Sequence, residues 1–318
     1  MSELRIAVDG PFSLAAAASF GFGPGTGRPY PTDGMMRLAF VSDDLSQHVG
    51  VVIRQDPDSS LVADLAGPAG PADEAAVARQ LRRILSIEGP AAGWVAAGRA
   101  DPVLGGVQAA YPGLRPVLFH SPYEAAAWAM LTQRRHRTQA AGLRARLAAA
   151  AGHSFLLAGL PEHAFPLPER LLGLDSFPGL DPVRMQRLHG VARAALAGQL
   201  EPSRLTAMPA EAAMADLLTL PGLGPVYAGL VYLRATGVTD ALIGGEPRLP
   251  FYLQHYYGLP EPPDGRAIER IAERWRPFRT WAGVLFRVAG DRDGLPFEPP
   301  RRGRPQAGSA KQQAAAGG

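Results

Sequence analysis

The sequence predicts an α+β protein in which a small lobe of strands and helices precedes an all-helical domain. Short apolar runs separated by glycine, proline and aspartate occupy residues 1–80, and such runs are typical of strands. From about residue 88 onward, apolar residues recur at helical spacing instead. At 318 residues the chain is long enough for two or three domains. We therefore expect an N-terminal α/β-sheet lobe over 1–112, a helical domain over 113–298 and a disordered tail over 299–318.

Alternating apolar residues predict three strands in the N-terminal lobe, at Leu4–Val8, Met36–Val41 and Val51–Arg54. Two helices are expected beside them, at Ser13–Phe20 and Glu74–Leu85. Asp73 precedes the second helix as a candidate N-cap, because a carboxylate there accepts hydrogen bonds from the first N–H groups of the helix.

Helical periodicity and capping residues divide the rest of the chain into a series of helices. Tyr123–Ala151 is expected to form one long helix or two. The other expected helices, several of which follow serine, proline or aspartate, are Leu167–Leu172, Pro182–Leu196, Pro209–Leu218, Val226–Arg234, Arg266–Trp275 and Phe278–Val288. The tail over 299–318 is polar and of low complexity, which is the reason for expecting disorder there.

The composition excludes several classes of protein. Cysteine is absent, which excludes disulfides, thiolate nucleophiles and thiolate-bound zinc or iron–sulfur clusters. The histidines show no zinc-binding spacing, so we expect neither a metal nor another cofactor. No run of about 18 apolar residues is present, which argues against a membrane partner. Met1–Arg5 has no apolar signal core, and we therefore expect a cytoplasmic protein.

Arginine supplies nearly all of the positive charge. The formal net charge is +3, and Lys311 in the tail is the one lysine of the sequence. Arginine suits phosphate binding because its planar guanidinium donates two parallel hydrogen bonds. A high genomic G+C content would produce the same bias, so the charge supports a nucleic-acid partner only weakly.

The most informative segment is Leu220–Val226, which reads Leu-Pro-Gly-Leu-Gly-Pro-Val. Its two glycines permit a tight turn between the apolar helical patterns Ala212–Leu218 and Val226–Arg234. The backbone N–H groups of such a turn and of the following helix start face one way, and they would bind a DNA phosphate. The residues expected at the phosphate are Gly222, Leu223, Gly224 and Val226. An ordinary corner between two helices is an equally open alternative.

Further segments accompany the hairpin in a fixed order along the chain. They are Tyr111–Pro116 and Tyr123–Gln133 upstream, and Tyr227–Leu230, Asp240–Glu246 and Ala272–Ala282 downstream. Together with the hairpin, these segments resemble the helix-hairpin-helix DNA glycosylase superfamily, and most of all its bacterial 3-methyladenine branch. The resemblance covers about residues 80–290. It implies a helical glycosylase domain that binds double-stranded DNA and removes damaged, alkylated bases in base-excision repair.

The resemblance also implies a catalytic carboxylate, which stabilises the positively charged sugar that forms when the base leaves. The aspartate of the family corresponds to Glu246, which keeps the charge but reaches one methylene further. Asp240 is the second candidate for this role. Some relatives use a lysine to form a Schiff base and cut the strand, and that position corresponds to Val226. We therefore expect hydrolysis of the base alone.

The same resemblance implies the residues of the base pocket. Family aromatic positions, which would stack on an extruded base, correspond to Val226, Leu230 and Arg287. Trp128 is a candidate to rebuild the aromatic wall. The wedge that fills the vacated duplex space corresponds to Arg134, and we expect Arg134 and the adjacent Gln133 to contact DNA and fill this gap together. An arginine at position 287 would oppose a cationic base.

Three functional hypotheses follow from these residues. The favoured one is a monomeric, monofunctional DNA glycosylase associated with the nucleoid. The departures at Glu246, Val226 and Arg287 favour an alternative, a non-catalytic or weakened hairpin protein that binds DNA. A third is a helical scaffold without a nucleic-acid role, which the absence of salt-sensitive DNA affinity would support.

Overall fold

The computed structural model describes residues 2–20, 33–58, 60–66, 71–89, 91–242 and 246–297. It contains a four-stranded antiparallel sheet, a two-stranded hairpin and a series of helices, so the predicted α+β class is confirmed. The predicted disordered tail over 299–318 lies outside the described residues. Every helix within them is too short or too polar to span a bilayer.

The larger sheet is antiparallel and has the strand order β1-β4-β3-β2. Its strands are β1 (Ser2–Ile6), β2 (Met36–Val41), β3 (His48–Gln55) and β4 (Leu61–Ala66). The predicted bounds of β2 are confirmed. β1 ends two residues earlier than predicted, because Ile6 pairs with Leu61, where β4 begins. β4 is absent from the predicted strands, and β3, which pairs on both sides, is longer than predicted.

Two helices cover the sheet, α1 (Leu14–Ala18) and α2 (Pro71–Ile84). They share a buried core with the strands, which includes Phe40 and Leu81. The prediction that Asp73 is an N-cap is wrong, because proline starts the helix earlier and Asp73 lies in its first turn.

The remaining helices are connected by short loops. They are α3 (Ala91–Ala100), α4 (Pro102–Ala110), α5 (Pro122–Thr132), α6 (Arg137–Ala151), α7 (Pro168–Leu172), α8 (Pro182–Leu196), α9 (Pro202–Ala207), α10 (Ala210–Leu218), α11 (Pro225–Ala235), α12 (Leu249–Tyr257), α13 (Gly265–Ala272) and α14 (Arg279–Arg292), with a 3₁₀ turn at Glu273–Trp275. The predicted span Tyr123–Ala151 is thus two helices. The predicted helices do not include α3, α4, α9 or α12.

Helices α3 and α4 pack against the C-terminal helices rather than against the sheet. Trp94 of α3 contacts the rings of Phe278 and Trp281. Asp101, fully buried, caps α4 and accepts a hydrogen bond from the indole of Trp275 at 3.2 Å. These contacts fix the position of α14, which carries one wall of the site described below.

A two-stranded β-hairpin, which was not predicted, consists of β5 (His153–Leu157) and β6 (Leu160–Ala164). Ala158 and Gly159 connect its strands with φ angles of 43° and 78°, as two-residue hairpin turns require. The hairpin lies against β2 and β3, and Arg37 of β2 donates a hydrogen bond to the carbonyl of Leu157 at 2.9 Å. It therefore attaches the end of α6 to the sheet.

Glu124 on α5 joins the sheet to two helical segments through one buried carboxylate. Its Oε1 accepts a hydrogen bond from the N–H of Val41 at 3.2 Å. Its Oε2 lies 2.7 Å from Arg144 Nη2 and 3.3 Å from His120 Nδ1. Burial alone would raise the pKa of Glu124, but the charges and hydrogen bonds of His120 and Arg144 outweigh it and lower the pKa to about 2.

We expect Glu124→Gln to lower the free energy of unfolding by about 3–5 kcal/mol at neutral pH, because it leaves Arg144 buried without its counter-ion. The wild-type pKa is depressed, so the stabilisation is present above about pH 4.5 and is lost as the pH falls toward 2. Urea unfolding at a series of pH values checks both statements. Glu211→Gln at an exposed site is the control, and equal stability of the two variants would contradict the prediction.

Candidate functional site

The turn between α10 and α11 is anchored by leucines and exposed at its glycines. Leu220 and Leu223 are buried, and the N–H of Leu223 donates to the carbonyl of Leu220 at 3.0 Å. Gly222 has a φ of 89°, in the left-handed region that favours glycine. Leu223 therefore holds the turn through its side chain, while Gly222 and Gly224 remain at the surface.

Backbone N–H groups at this turn are available to a ligand. Those of Gly222, Gly224 and Val226 donate no hydrogen bond to any residue that the structure describes. A Cβ placed on Gly224 would meet nothing within 4 Å, so the surrounding protein leaves this position open. Because a helix start with unpaired N–H groups attracts anions, the predicted phosphate site has the expected exposure.

Gln133 connects the loop between α5 and α6 to the turn between α10 and α11, which is called the helical hairpin below. The side-chain amide of Gln133 donates to the carbonyl of Gly222 at 2.6 Å and accepts from Arg187 Nη1 at 2.7 Å. Arg184 Nη2 donates to the backbone carbonyl of Gln133 at 2.8 Å. Both ends of the Gln133 amide are thus occupied within the protein, and this side chain supports the loop.

Arg134 is exposed at the apex of the same loop. Its φ of 54° lies in the left-handed region, which is uncommon for a residue with a side chain and costs of order 1–3 kcal/mol. Among the described residues, its guanidinium has no hydrogen-bond or ion-pair partner. Of the predicted pair, Arg134 is therefore the side chain that a ligand can reach.

A basic groove of about 520 Å³ lies between this loop, the start of α8 and the hairpin. Its lining residues are Gln133, Arg134, Asp181, Val183, Arg184, Arg187, Gly222 and Tyr227. Three arginines face a single aspartate, which pairs with Arg184 at 2.8 Å. The surplus positive charge suits the backbone of a nucleic acid.

A smaller cavity of about 210 Å³ lies between α11 and α14. This volume is below the roughly 300 Å³ at which pockets for drug-sized ligands begin, so the cavity suits one small ring system. Its wall is mostly apolar, with Val226, Leu230, Leu233, Leu242, Leu249 and Val284, and its charged residues are Arg234, Glu246, Arg279 and Arg287. Tyr227 lines both this cavity and the basic groove, so the two are adjacent.

Glu246 lies in the wall of this cavity, next to the start of α12. Its Oε2 accepts hydrogen bonds from the N–H groups of Arg248 and Leu249 at 2.8 and 2.7 Å. Its Oε1 accepts one from Arg287 Nε at 2.8 Å. The helix start and the guanidinium both stabilise a negative charge on this carboxylate, and its side chain is 39% exposed.

Comparisons with known proteins agree with this geometry. Over 184 residues, or 56% of this chain and 61% of the relative, the sequence is 33% identical to DNA-3-methyladenine glycosylase 2 of Escherichia coli (strain K12). The solved 3-methyladenine DNA-glycosylase from Archaeoglobus fulgidus superposes with a TM-score of 0.73 at 20% identity, covering 93% of this chain and 99% of that one. MBOgg1, solved with a low-affinity DNA ligand, gives 0.66 at 18% identity, with 92% and 96% covered. No family model matches the chain.

The chain is therefore similar in sequence to a DNA-3-methyladenine glycosylase and has the fold of a solved 3-methyladenine DNA-glycosylase. The bacterial 3-methyladenine branch fits the sequence relative, and the structural neighbour shows the same fold. The matched region spans less than two thirds of the length of the Escherichia coli relative.

Arg287 lies in the cavity wall and contacts Glu246 from the side of α14. The guanidinium is 9% exposed and also pairs with Asp291. Burial raises the pKa of Asp291, but hydrogen bonds from Arg287 and Tyr252 outweigh it and lower the pKa. Arg287 thus remains next to two carboxylates, one of which is the predicted catalytic group.

Asp240, the second candidate carboxylate, is bound by arginines instead of facing the cavity. Arg279 Nε donates to its Oδ1 at 2.7 Å, and Arg276 Nη1 donates to its Oδ2 at 2.9 Å. Asp240 is not among the residues that line the cavity. Two arginines of the segment Ala272–Ala282, which carries part of the family resemblance, therefore form ion pairs with Asp240.

The predicted pocket residues are only partly brought together. Leu230 and Arg287 line the cavity with Glu246, and Val226 does so at its exposed rim. Trp128 is buried in the helical core between α5 and its neighbours and does not line the cavity. The aromatic residue present is Tyr227, one position after the residue that the resemblance matched.

The predictions also missed the arginines that shape the groove. Arg184 and Arg187 are three residues apart on α8 and therefore share a face, which is the signal that would have found them. The place of Arg279 in the cavity wall was not predicted, because it depends on how α14 packs against α11.

Proposed function

We propose that this protein is a monofunctional DNA glycosylase that hydrolyses the N-glycosidic bond of damaged bases in double-stranded DNA. The observation that carries the proposal is the carboxylate of Glu246 in the wall of a base-sized, mostly apolar cavity. The names of the relatives support alkylated bases as the substrate class. The proposed partner is double-stranded DNA, and a structural neighbour that was solved with a DNA ligand supports DNA binding. The protein is proposed to act as a monomer.

The chemistry follows from the charge that develops on the sugar. As the C1′–N bond breaks, the bonding electrons leave with the base and the deoxyribose becomes positively charged. Glu246 stabilises this cation and accepts a proton from the water that adds to C1′. The apolar wall excludes bulk water and so strengthens the attraction between the carboxylate and the sugar.

The hairpin and the groove position the strand. The unpaired N–H groups of Gly222, Gly224 and Val226 bind one phosphate, and the groove arginines bind the neighbouring ones. Arg134 enters the gap left by the extruded base, while Gln133 keeps the loop in place. Binding to DNA therefore depends strongly on salt.

The absence of strand cleavage rests on the lysine content. Strand-cutting glycosylases need an amine for a Schiff base, and the described residues contain no lysine.

We also propose that residues 1–112 form a lobe separate from a helical domain over 113–298, and that the protein acts at the nucleoid. The arrangement of the sheet core supports the first of these.

The test is incubation of the full chain with duplex DNA carrying alkylated bases. Release of free base, followed by chromatography, is expected together with an abasic strand that is cleaved only after added alkali. Sodium borohydride is expected to trap no covalent protein–DNA adduct. Binding to the duplex without release of any base would favour the non-catalytic alternative, and a trapped adduct would refute the monofunctional part.

A further inference from the structure

The wall of the base cavity carries more positive than negative charge. Among the described residues that line it, three are arginines and one, Glu246, is acidic. Asp240, which is the acid that pairs with Arg279, does not line the cavity. A positively charged ring placed in this cavity would therefore face more guanidinium groups than carboxylates, because Asp240 and Asp291, which pair with two of the arginines, do not line the wall.

Two of these arginines are buried, which makes their charges effective. Arg287 is 9% exposed and Arg234 is 6% exposed. Burial, followed by the positive charges of Arg287 and Arg137, lowers the pKa of Arg234 to about 9. The charge of Arg287 therefore already opposes the charge of Arg234, and an added cation beside Arg234 would be opposed in the same way.

The cavity also offers little attraction of the kind that aromatic rings give to cations. Its described lining is aliphatic apart from Tyr227, and a cation is attracted to ring faces rather than to aliphatic groups. By contrast, the wall does offer a hydrogen-bond donor. Arg287 uses Nε for Glu246 and pairs through Nη1 with Asp291, while Nη2 has no hydrogen-bond partner among the described residues.

We propose that the cavity selects damaged bases that are uncharged before cleavage over the cationic N-alkylpurines, and that Arg287 makes this selection. The inference rests on the proposed glycosylase function. A cationic base takes up the bonding electrons and leaves as a neutral molecule, so it needs no positive partner. A neutral base leaves with a negative charge, which a hydrogen bond from the guanidinium stabilises until water supplies a proton.

The experiment compares two duplexes that differ only in one lesion, neutral 1,N6-ethenoadenine or cationic 7-methylguanine. Single-turnover release is measured for each, and binding is measured with 2′-fluorinated versions whose glycosidic bonds resist hydrolysis. We expect wild type to favour the neutral lesion by at least about 10-fold, both in binding and in the acceleration of release over the uncatalysed rate of the same duplex. Arg287→Met is expected to bring both ratios close to one.

Arg248→Met is the matched control. Arg248 also pairs with Asp291, at 2.9 Å, but its side chain does not line the cavity. This variant is expected to keep the wild-type ratios. If the ratios of neutral to cationic lesion fall equally in both variants, the effect comes from Asp291 and the role of Arg287 is overturned.

The outcomes separate this inference from the proposed function. A greater acceleration of release for 7-methylguanine than for the neutral lesion in wild type, or unchanged ratios in Arg287→Met, would overturn the selection of neutral bases while leaving the glycosylase function intact. Preferential binding of the neutral lesion without release of either base would refute the glycosylase function and support the selection. Equal binding of both lesions and of undamaged DNA would refute the selection as well.

Discussion

Glu246→Gln is expected to release damaged bases about 100- to 10 000-fold more slowly than wild type, which is the range for removing a positioned acid–base group. The amide retains an oxygen that can accept from the N–H groups of Arg248 and Leu249, so the start of α12 is preserved. The amide lacks the negative charge that stabilises the sugar cation. Single-turnover release from a lesion-bearing duplex is the measurement, with affinity for an abasic analogue recorded in parallel.

Two variants sharpen this test. Glu269→Gln removes the same charge from an exposed position on α13 and is expected to leave release unchanged. Asp240→Asn removes the acid held by Arg276 and Arg279 and is expected to reduce stability rather than chemistry. Wild-type release by Glu246→Gln, or loss of release with normal folding in Asp240→Asn, would transfer the catalytic role to Asp240.

Gly224→Asp is expected to stabilise the protein slightly while weakening its DNA binding by about 30-fold. Gly224 is the N-cap of α11 and has extended backbone angles, and α11 has no side-chain cap. Aspartate there accepts a hydrogen bond from the helix start and adds a few tenths of a kcal/mol to the free energy of unfolding. The same carboxylate occupies the N–H of Val226 and repels a phosphate, which costs about 2 kcal/mol of binding.

The measurement is fluorescence anisotropy on a duplex with an abasic analogue, at several salt concentrations, beside thermal unfolding. The slope of log affinity against log salt is expected to decrease by about one contact. Gly265→Asp is the control, since it adds the same charge at the start of α13, where a Cβ also meets open space. Undiminished affinity of Gly224→Asp would mean that the hairpin does not bind phosphate.

Much of the helical part could be predicted from the sequence because its signals are local. The bounds of α8 match the prediction, since Pro182 and the apolar periodicity mark them directly. The strand β4 was missed because its stability depends on pairing with β1, which is distant along the chain, as well as with the neighbouring β3. The start of β1 was displaced for the same reason.

The site shows the same division between local and distant causes. The hairpin was predicted because glycine and proline dictate its turn within seven residues. Gln133 was predicted to fill the gap in DNA, but its amide is bound by Gly222 and Arg187, both far along the chain. The ion pair between Glu246 and Arg287 spans 41 residues and depends on the packing of α14, so no local pattern could indicate it.

The position of Tyr227 limits which substitutions could change the lesion preference without changing DNA binding. Its ring belongs to the groove that follows the strand and to the cavity that receives the base. Under the proposed function, a substitution there would alter the contact with DNA and the choice of lesion together. Changes of lesion preference that leave DNA binding intact would instead come from residues that line the cavity alone, such as Leu230 and Arg287.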